Sequence, residues 1–435
     1  MKKKPFLIIF LLATIILGAC QPKQSTPSEK QTLVVWDQFY RDEESKVIDQ
    51  LNAEFEAKHP GVSIQREVKV LEDLSLTVKL ALANEDGPDV AQVNQGRVDM
   101  GALVKDGLLL SLDDYAKQYK WNERFPGTLL ARNSFSEDGK QFGTGHIYGV
   151  SPTAEVVGVY YNKSMFAQHG WAVPTSFDEF LDLLAKIYEA GIVPISFGSL
   201  DGWNAIHLFS AIQHLHVSRE YIDDFVYSRN DVSFDTEFNL KALYQFYDWV
   251  KLDYFTPNFQ GIGYDASNES FKKGEAALTI TGSWLAPELL TGTDQTFGFF
   301  LLPGYEEQQA LAIGGLGIPF SIRATTEKKD LAAEYIDWMV SERAAELWAD
   351  AGMVPAMPLP KKYKLQNDTL FADTVEAWQN INANNLVGHY IDWATPTMYD
   401  RLVFWLQRLL SFVSTPEEFI IGISQEYEDW KPYQQ

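Results

Sequence analysis

Three acidic residues could do chemistry on a glycosidic bond. Glu155 could pair with either Asp201 or Asp392 as two opposed carboxylates. One carboxyl group of such a pair protonates the leaving group, and the other acts as a base or nucleophile. No catalytic motif accompanies these acids, because neither G-x-S-x-G nor H-E-x-x-H occurs in the sequence. A binding role is therefore favoured, and a hydrolase stays the alternative.

Three histidines, His207, His214 and His216, lie close together in the sequence. Histidines at short spacing could bind zinc, but no cysteine is near them to complete a typical ligand set. Structural or surface roles are favoured, so we expect neither a metal nor a cofactor. The glycines of Gly261-Ile262-Gly263 lack the remainder of a phosphate-binding motif.

The acidic composition weakly disfavours an anionic ligand, and it is equally compatible with a role of the charge in solubility alone. The chain has 435 residues, a formal charge of −23, 12 Trp and 20 Tyr. A surface this acidic repels nucleic acid, which we do not expect as a partner. Trp and Tyr combine a flat apolar face with a polar edge, although most of them must pack in the core.

The N-terminus has the pattern of an export signal. Three lysines, Lys2 to Lys4, precede an apolar run from Phe6 to Leu17, and Cys20 follows two small residues. This run is too short for a typical transmembrane helix, and no other segment approaches the ~20 apolar residues that one needs. Leu17-Gly18-Ala19-Cys20 resembles the bacterial lipobox, which implies cleavage before Cys20 and its acylation.

The segment that follows should link this anchor to a folded body. Residues 21–32 contain no apolar side chain, so they cannot pack and are expected to form a flexible tether. We therefore expect a protein held by lipid at the outer face of the bacterial cytoplasmic membrane. Two or three acyl chains bury enough methylene groups for such an anchor.

Strand-type apolar runs alternate with helical spacing beyond residue 32. Strands are predicted at 33–36, 62–64, 90–93, 156–161, 192–195, 276–280 and 297–302. Helices are predicted at 47–55, 71–82, 177–190, 327–350 and over most of 365–435, with a capping box at Ser176 and Glu179. This alternation predicts an α/β fold whose sheets are mainly parallel and flanked by helices. The length fits two lobes.

Ligands of open parallel sheets bind beyond the carboxyl ends of the strands. In this chain that rule selects the loops after Trp36, Val93 and Ile280, and the region around Glu155. Trp, amide and acidic residues occur together there. Indole rings could stack on the C–H face of a sugar, and acids or amides could bond its hydroxyl groups.

Three sequence stretches resemble the carbohydrate-binding solute-binding proteins of bacterial ABC importers, the group that includes maltose-binding protein. They are 87–90 with 107–113, 148–163 with 174–180, and 271–284. The resemblance spans about 33–360 and implies two lobes, joined by several chain crossings, that close on a sugar in the cleft between them. The expected division is a signal peptide at 1–19, an acylated cysteine and tether at 20–32, lobe 1 at 33–148 plus 303–345, and lobe 2 at 149–302 plus 346–435.

The resemblance also implies which residues contact the ligand. These are Gln38, Phe39, Tyr40, Asn94, Gln95, Arg97, Glu155, Trp203, Asn204, Trp284, Gly314, Gly315, Asp392 and Trp393. Glu155 matches a sugar-contacting glutamate, Trp284 a stacking tryptophan, and Gly314-Gly315 a turn where backbone approaches the ligand. Val93 stands where maltose-binding protein has an aromatic residue, so the particular sugar is left open.

The resemblance thus predicts an extracellular, lipid-anchored, monomeric binding subunit. It would capture a neutral sugar, most simply an oligosaccharide, and deliver it to importer permease subunits without chemistry. Two alternatives stay open, namely an anchored glycoside hydrolase and the same fold binding a non-sugar solute.

Overall fold

The structure is a computed structural model that describes residues 30–305 and 310–431. The predicted signal peptide, Cys20 and nearly all of the tether lie outside the described residues. In the part of the chain that is described, no helix combines the length and apolar character needed to cross a membrane.

The strands are short, and their buried residues are mostly apolar. They are β1 (Gln31–Asp37), β2 (Val62–Val68), β3 (Val90–Gln92), β4 (Ser134–Phe135), β5 (His146–Ile147), β6 (Ala154–Asn162), β7 (Val193–Ser196), β8 (Ala276–Gly282), β9 (Phe297–Phe300), β10 (Ala312–Leu316), β11 (Phe320–Ile322) and β12 (Val387–Gly388). Strands β1, β2, β3, β6, β7, β8 and β9 match the predicted strands to within a few residues.

Helices fill the segments between the strands and the last part of the described chain. They are α1 (Asp42–Lys58), α2 (Leu71–Leu82), α3 (Ala102–Lys105), α4 (Asp113–Gln118), α5 (Trp121–Arg124), α6 (Gly127–Leu130), α7 (Lys163–His169), α8 (Phe177–Glu189), α9 (Trp203–Gln213), α10 (Arg219–Tyr227), α11 (Glu237–Lys251), α12 (Tyr264–Lys272), α13 (Ala286–Leu289), α14 (Lys329–Met339), α15 (Glu342–Asp350), α16 (Leu370–Ala383), α17 (Met398–Leu410) and α18 (Pro416–Trp430).

The predicted capping box at the start of α8 forms only in part. The Ser176 side chain accepts a hydrogen bond from the Glu179 backbone N–H, as predicted. The Glu179 carboxylate, however, accepts from the backbone N–H and the hydroxyl of Thr175 instead of from Ser176. The helix N-terminus is still capped, because the reciprocal bond has only moved by one residue.

The first sheet has the strand order β11-β3-β1-β2. β1 is parallel to both β2 and β3, whereas β11 is antiparallel to β3. The chain therefore returns to the first lobe more than 220 residues after β3, as a multiply crossed two-lobed fold requires. The carboxyl ends of β1 and β3 lead directly into the loops that begin at Gln38 and Val93.

Asp89, within the stretch 87–90, stabilises this first sheet through hydrogen bonds to its carboxylate. One carboxylate oxygen accepts from the Val34 backbone N–H and from Lys328 Nζ, both at 2.9 Å. The other accepts from the Thr326 hydroxyl at 2.5 Å. A buried carboxylate with this many donors ties β1 to the turn before α14, which explains structurally why an acid stands here.

The second sheet has the order β12-β10-β6-β8-β7, and β9 also pairs with β6. Two pairs are parallel, β7 with β8 and β10 with β12, but β6 is antiparallel to β8, β9 and β10. The prediction of a mainly parallel sheet is therefore wrong for this lobe. Strand β6 is nearly all buried, and a run buried on both faces has the same apolar pattern in either orientation.

One segment lies across the predicted division between the lobes. Strand β10, inside the range 303–345 predicted for lobe 1, is hydrogen-bonded to β6 in the second sheet. Helix α15 extends beyond residue 345 and packs against α1 beside the first sheet. The chain thus crosses between the lobes at 317–319, between β10 and β11.

Candidate functional site

Six aromatic side chains from separate segments of lobe 2 form one group, which we call the aromatic cluster. They come from four segments: α9 supplies two, α12 one, the turn after β8 one, and the segment after β12 two. The members are Trp203, His207, Tyr264, Trp284, Tyr390 and Trp393.

The rings of this aromatic cluster form a continuous row. Trp203 lies 4.4 Å from Tyr264 and 5.0 Å from His207, measured between ring centroids. His207 lies 4.7 Å from Tyr390, which in turn lies 5.0 Å from Trp393. The spacing is that of favourable aromatic pairs, so each ring limits the movement of the next.

Trp284 is held by a hydrogen bond to the same cluster. Its indole N–H donates to the Tyr264 hydroxyl at 2.8 Å, and its ring centroid lies 5.9 Å from that of His207. The Trp284 side chain is only partly buried. One part of the indole is therefore fixed while another part stays accessible to a ligand.

Glu155 joins the aromatic cluster through Tyr390. The Tyr390 hydroxyl donates to Glu155 Oε1 at 2.8 Å. Burial raises the pKa of Glu155 to about 7, although the bond from Tyr390 and the charge of Arg132 act in the opposite direction. Near neutral pH this carboxyl group can therefore be present as an acceptor or as a protonated donor.

Arg132 is a fully buried cation behind this carboxylate. Its guanidinium donates to the carbonyl oxygens of Gly314 and, at 2.6 Å, of Gly388, and it lies 5.6 Å from the centre of the Trp393 ring. Burial lowers the pKa of Arg132. These bonds connect the segment after α6 to two strands of the second sheet.

Of the two predicted ligand-approach glycines, Gly315 makes room for the Arg132 side chain, and Gly314 accepts a hydrogen bond from it. Gly315 has φ +150°, and a Cβ atom built on it would lie 1.9 Å from Arg132 Nη1. In the β6–β10 ladder, Gly315 is also the partner of Glu155. The absent side chain therefore makes room for a protein cation, whereas the expectation was close approach by a ligand.

In the first lobe, the predicted residues Gln38, Phe39 and Tyr40 have different environments. Phe39 is 2% exposed and packs 4.7 Å from Trp348, so its side chain belongs to the core, which argues against the predicted ligand contact. Gln38 and Tyr40 alternate with it and are half-buried. They stay candidates.

Gln95 connects the loop after β3 to the segment that joins β10 and β11. It is buried, and its side-chain amide donates to the backbone oxygens of Leu316 and Gly317 at 3.0 and 2.9 Å. The neighbouring Asn94 is half-buried and donates to Asp99 Oδ2 at 2.9 Å. Asn94 Oδ1 also accepts from the Gln95 backbone N–H at 3.0 Å, so both side chains have protein partners. Asn94 stays a candidate because its side chain is half-buried.

Arg97 is a bridge between the lobes. It is 5% exposed, and its guanidinium donates to the backbone oxygens of Lys140 at 2.5 Å and Tyr227 at 3.2 Å. Tyr227 ends helix α10 of lobe 2. The side chain is engaged by protein partners, which argues against the predicted ligand contact.

Two predicted residues of lobe 2, Asn204 and Asp392, are sequence neighbours of members of the aromatic cluster, and a third, Trp393, belongs to it. Asn204 is buried at the start of α9, next to Trp203. Asp392 is 9% exposed, and burial raises its pKa to about 7, with a further contribution from Asp99 of lobe 1. Trp393 touches lobe 1, because a Cβ on Gly96 would lie 2.6 Å from its Cδ1 atom.

The alternative chemical roles find little support in these positions. Asp201 caps helix α12, since its carboxylate accepts from the Tyr264 backbone N–H at 2.6 Å. Burial lowers the pKa of His207 to about 3 and that of His214 to about 4, so both are neutral. Within residues 30–305 and 310–431, no group of three His, Cys, Asp or Glu side chains is placed to hold a metal ion.

Sequence reasoning missed four members of this site. Tyr264, Tyr390 and Arg132 were not predicted, and His207 was expected to be a structural or surface residue, with metal binding as the alternative. His207 could have been found from its position four residues after Trp203 on one helix, where both side chains share a face. Arg132 carries no comparable signal, because its partners are backbone carbonyls far away in the sequence.

The chain belongs to a family of bacterial extracellular solute-binding proteins, whose model matches residues 41–346. A curated relative, the multiple sugar-binding protein of Streptococcus mutans, is 23% identical over 377 residues, which cover 81% of this chain and 82% of that protein. The two-lobed α/β fold is thus that of a known class of binding proteins.

Solved structures share the whole fold. A chitin oligosaccharide binding protein has a TM-score of 0.78 at 22% identity, with 93% of this chain and 100% of that chain covered. The solute-binding protein RafE in complex with raffinose has a TM-score of 0.70 at 20% identity, with 92% and 99% covered. The predicted two-lobed fold is confirmed by these neighbours.

Replacing Glu155 by glutamine should remove the contribution of this carboxyl group to the pH dependence of stability. The pKa of Glu155 is raised on folding from 4.5 to about 7, so this group contributes stability below pH 4.5 and loses it as the pH rises through 7. We compare the free energy of unfolding of Glu155→Gln with that of the wild type at about pH 5 and about pH 8. The difference in favour of Glu155→Gln should be larger at the higher pH by on the order of 1–2 kcal/mol. Urea unfolding at both pH values measures this difference.

The matched control is Glu275→Gln, because Glu275 is an exposed carboxylate just before β8. Its difference from the wild type should be the same at both pH values. If the difference in free energy of unfolding between Glu155→Gln and the wild type were also the same at both pH values, burial of the Glu155 charge would be contradicted.

Proposed function

We propose that this protein is the sugar-capturing subunit of a bacterial ABC importer, and that it holds a neutral saccharide between its lobes without catalysis. The observation that carries this proposal is the partly exposed row of aromatic faces beside Glu155, located where the lobes meet. The names of the relatives support it: one is a multiple sugar-binding protein, and two structural neighbours bind a chitin oligosaccharide and raffinose.

The aromatic cluster has the chemistry that a pyranose requires. The accessible parts of Trp203 and Trp284 would stack on the C–H face of a ring, where each Å2 of apolar area buried contributes about 25 cal/mol. Glu155 and Asp392 from lobe 2, with Asn94 and Gln38 from lobe 1, would bond the hydroxyl groups. Since these groups belong to both lobes, a bound sugar would favour lobe closure.

Binding without turnover is the simplest role for these acids. Glu155 is bonded to Tyr390, and Asp201 caps a helix, so neither has the arrangement of a free acid opposite a nucleophile. We therefore propose that the protein is not an enzyme. It would act as a monomer that passes its sugar to the permease subunits.

A thermal-shift panel with raffinose, chitin oligosaccharides and xylo-oligosaccharides tests the proposal. A saccharide at about 100 times its Kd should add about 2.7 kcal/mol to the free energy of unfolding and raise Tm by a few degrees. Chromatography of the same samples should show no shortened product. Stabilisation by amino acids or peptides alone would favour a non-sugar solute, and product formation would favour the hydrolase.

We also propose that Cys20 carries the lipid anchor that keeps the folded body at the outer face of the cytoplasmic membrane. The sequence around Cys20 supports this, and so does the extracytoplasmic location that membership of an extracellular family implies. In cells fed radiolabelled palmitate, the wild type should be labelled and found in the membrane fraction, and Cys20→Ser should be unlabelled. Equal labelling of both proteins would refute the anchor.

A further inference from the structure

Arg41 is the centre of a group of charges between the two lobes. It precedes α1 of lobe 1, and its side chain is 16% exposed. Its guanidinium forms an ion pair with Glu288 on α13 of lobe 2 and lies 3.6 Å from Asp265 on α12 of the same lobe. The cation of one lobe is therefore held by two carboxylates of the other.

Arg41 also has an acidic neighbour in its own lobe. Glu44, in the first turn of α1, is 2% exposed and lies 4.0 Å from the guanidinium. If the lobes separated, Glu44 would remain beside Arg41, whereas Glu288 and Asp265 would move away. The guanidinium thus has acidic partners both when the lobes are together and when they are apart.

The same charges are directly connected to the aromatic cluster. Asp265 follows Tyr264 at the start of α12, and the Tyr264 hydroxyl accepts the indole N–H of Trp284. Arg41 is close enough to interact electrostatically with the Tyr264 hydroxyl. A shift of α12 away from lobe 1 would therefore move the Arg41 contacts and the Tyr264–Trp284 pair together.

Closing the lobes brings acids of a strongly acidic protein together. Glu44 of lobe 1 and Glu288 of lobe 2 repel each other across this contact, and the formal charge of the chain is −23. A cation between them offsets this repulsion where the lobes meet. These charges are largely desolvated. Removing one of them leaves its partners without an opposite charge, which raises the free energy of the closed arrangement.

We propose that Arg41 is an inter-lobe latch, which pairs with Glu288 and Asp265 to stabilise the closed arrangement of the lobes and so sets how slowly a bound ligand leaves. The part of this proposal that concerns ligand release rests on the proposed sugar-binding function. The part that concerns lobe contact does not depend on any ligand.

Hydrogen–deuterium exchange of the full-length chain without ligand tests the lobe contact. The readout is exchange in peptides covering 93–100 of lobe 1 and 386–394 of lobe 2, which meet at Gly96 and Trp393. Arg41→Gln and Glu288→Gln should each raise exchange there by about threefold or more, because the lobes separate more often. Raising NaCl from about 50 to about 500 mM should do the same to the wild type, since screening weakens the pair.

The matched control is Lys46→Gln, which removes the same charge from α1 but breaks only the pair with Glu43 in the same lobe. It should leave both peptides unchanged. The charge-reversed double variant Arg41→Glu with Glu288→Arg should exchange more slowly than Arg41→Glu alone, because the second substitution restores opposite charges across the contact. Exchange like that of the wild type in both glutamine variants would overturn the latch, as would a double variant no slower than Arg41→Glu alone.

General unfolding is recognised from peptides of β1 and β6. If Arg41→Gln raised exchange in those strands as well, that variant would be partly unfolded. The lobe contact would then be tested by Glu288→Gln alone, because the Glu288 side chain is 32% exposed and can be changed without opening the core.

Ligand release forms a separate part of the experiment. For a saccharide that stabilises the wild type in the panel, both single variants should release it roughly tenfold faster in stopped-flow tryptophan fluorescence. If no saccharide binds, the sugar proposal fails while the exchange result still decides the latch. If saccharides bind but their release is unchanged in both variants, the latch does not control the ligand and this part is overturned.

Discussion

Replacing Gly315 by alanine is expected to lower the free energy of unfolding by about 3 kcal/mol or more. The new Cβ would lie 1.9 Å from Arg132 Nη1, and the backbone has φ +150°, where side chains are strained. Arg132 is fully buried and cannot withdraw without leaving the Gly314 and Gly388 carbonyl oxygens unbonded. Urea unfolding followed by circular dichroism measures the loss.

The control for this substitution is Gly191→Ala. Gly191 also has a positive φ, +75°, but nothing lies within 4 Å of an added Cβ. This variant should therefore lose only about 1 kcal/mol, from backbone strain alone. The excess loss in Gly315→Ala then measures the collision with Arg132 together with the larger backbone strain at φ +150°. Equal losses would show that Arg132 moves aside freely and that its position does not depend on the glycine.

The structure brings the tryptophans predicted for lobe 2 into one group, whereas the residues predicted for lobe 1 have different environments. Trp203, Trp284 and Trp393 were expected near Glu155, and the structure brings all of them into one connected group with it. The position of a large aromatic residue at the end of a helix or strand is restricted by its size. An indole ring has a large apolar face to bury and an N–H group that needs a partner, so it fits best at the boundary of a core.

The residues predicted for lobe 1 differ in environment because a loop position does not fix the direction of a side chain. Gln38, Phe39 and Tyr40 follow the same strand, but only the middle residue turns into the core, against Trp348. Arg97 was equally plausible as a ligand contact from its type alone. Its actual partners, the carbonyl oxygens of Lys140 and Tyr227, are distant in the sequence and become visible only when the lobes are in place.

The orientation of the second sheet could not be predicted for a similar reason. Alternation of strands and helices indicates a parallel sheet, and β7 with β8 follows that rule. Strand β6, however, pairs with β8, β9 and β10, which approach from long crossings, and all three pairs are antiparallel. Apolar pattern gives the burial of a strand but not the direction of its neighbours.

Replacing Trp284 by alanine is expected to weaken saccharide binding by about 10- to 100-fold, a cost of ~1–3 kcal/mol, while the protein remains folded. The indole is only partly buried and is fixed at one edge by its bond to Tyr264, so its loss removes a stacking surface with little damage to the core. Calorimetric titration with the most stabilising saccharide of the panel measures the change.

Two further variants show whether the flat face of Trp284 or its N–H group matters. Trp284→Phe keeps an aromatic face but cannot donate to Tyr264, so it should retain most of the affinity if stacking dominates. Trp171→Ala removes a partly buried tryptophan that stacks 4.5 Å from His169, in the segment after α7, outside the aromatic cluster. That variant should bind like the wild type. Unchanged affinity in Trp284→Ala would show that this residue is not part of the site. If Trp284→Phe lost as much affinity as Trp284→Ala, the effect would come from the hydrogen bond to Tyr264 and not from stacking.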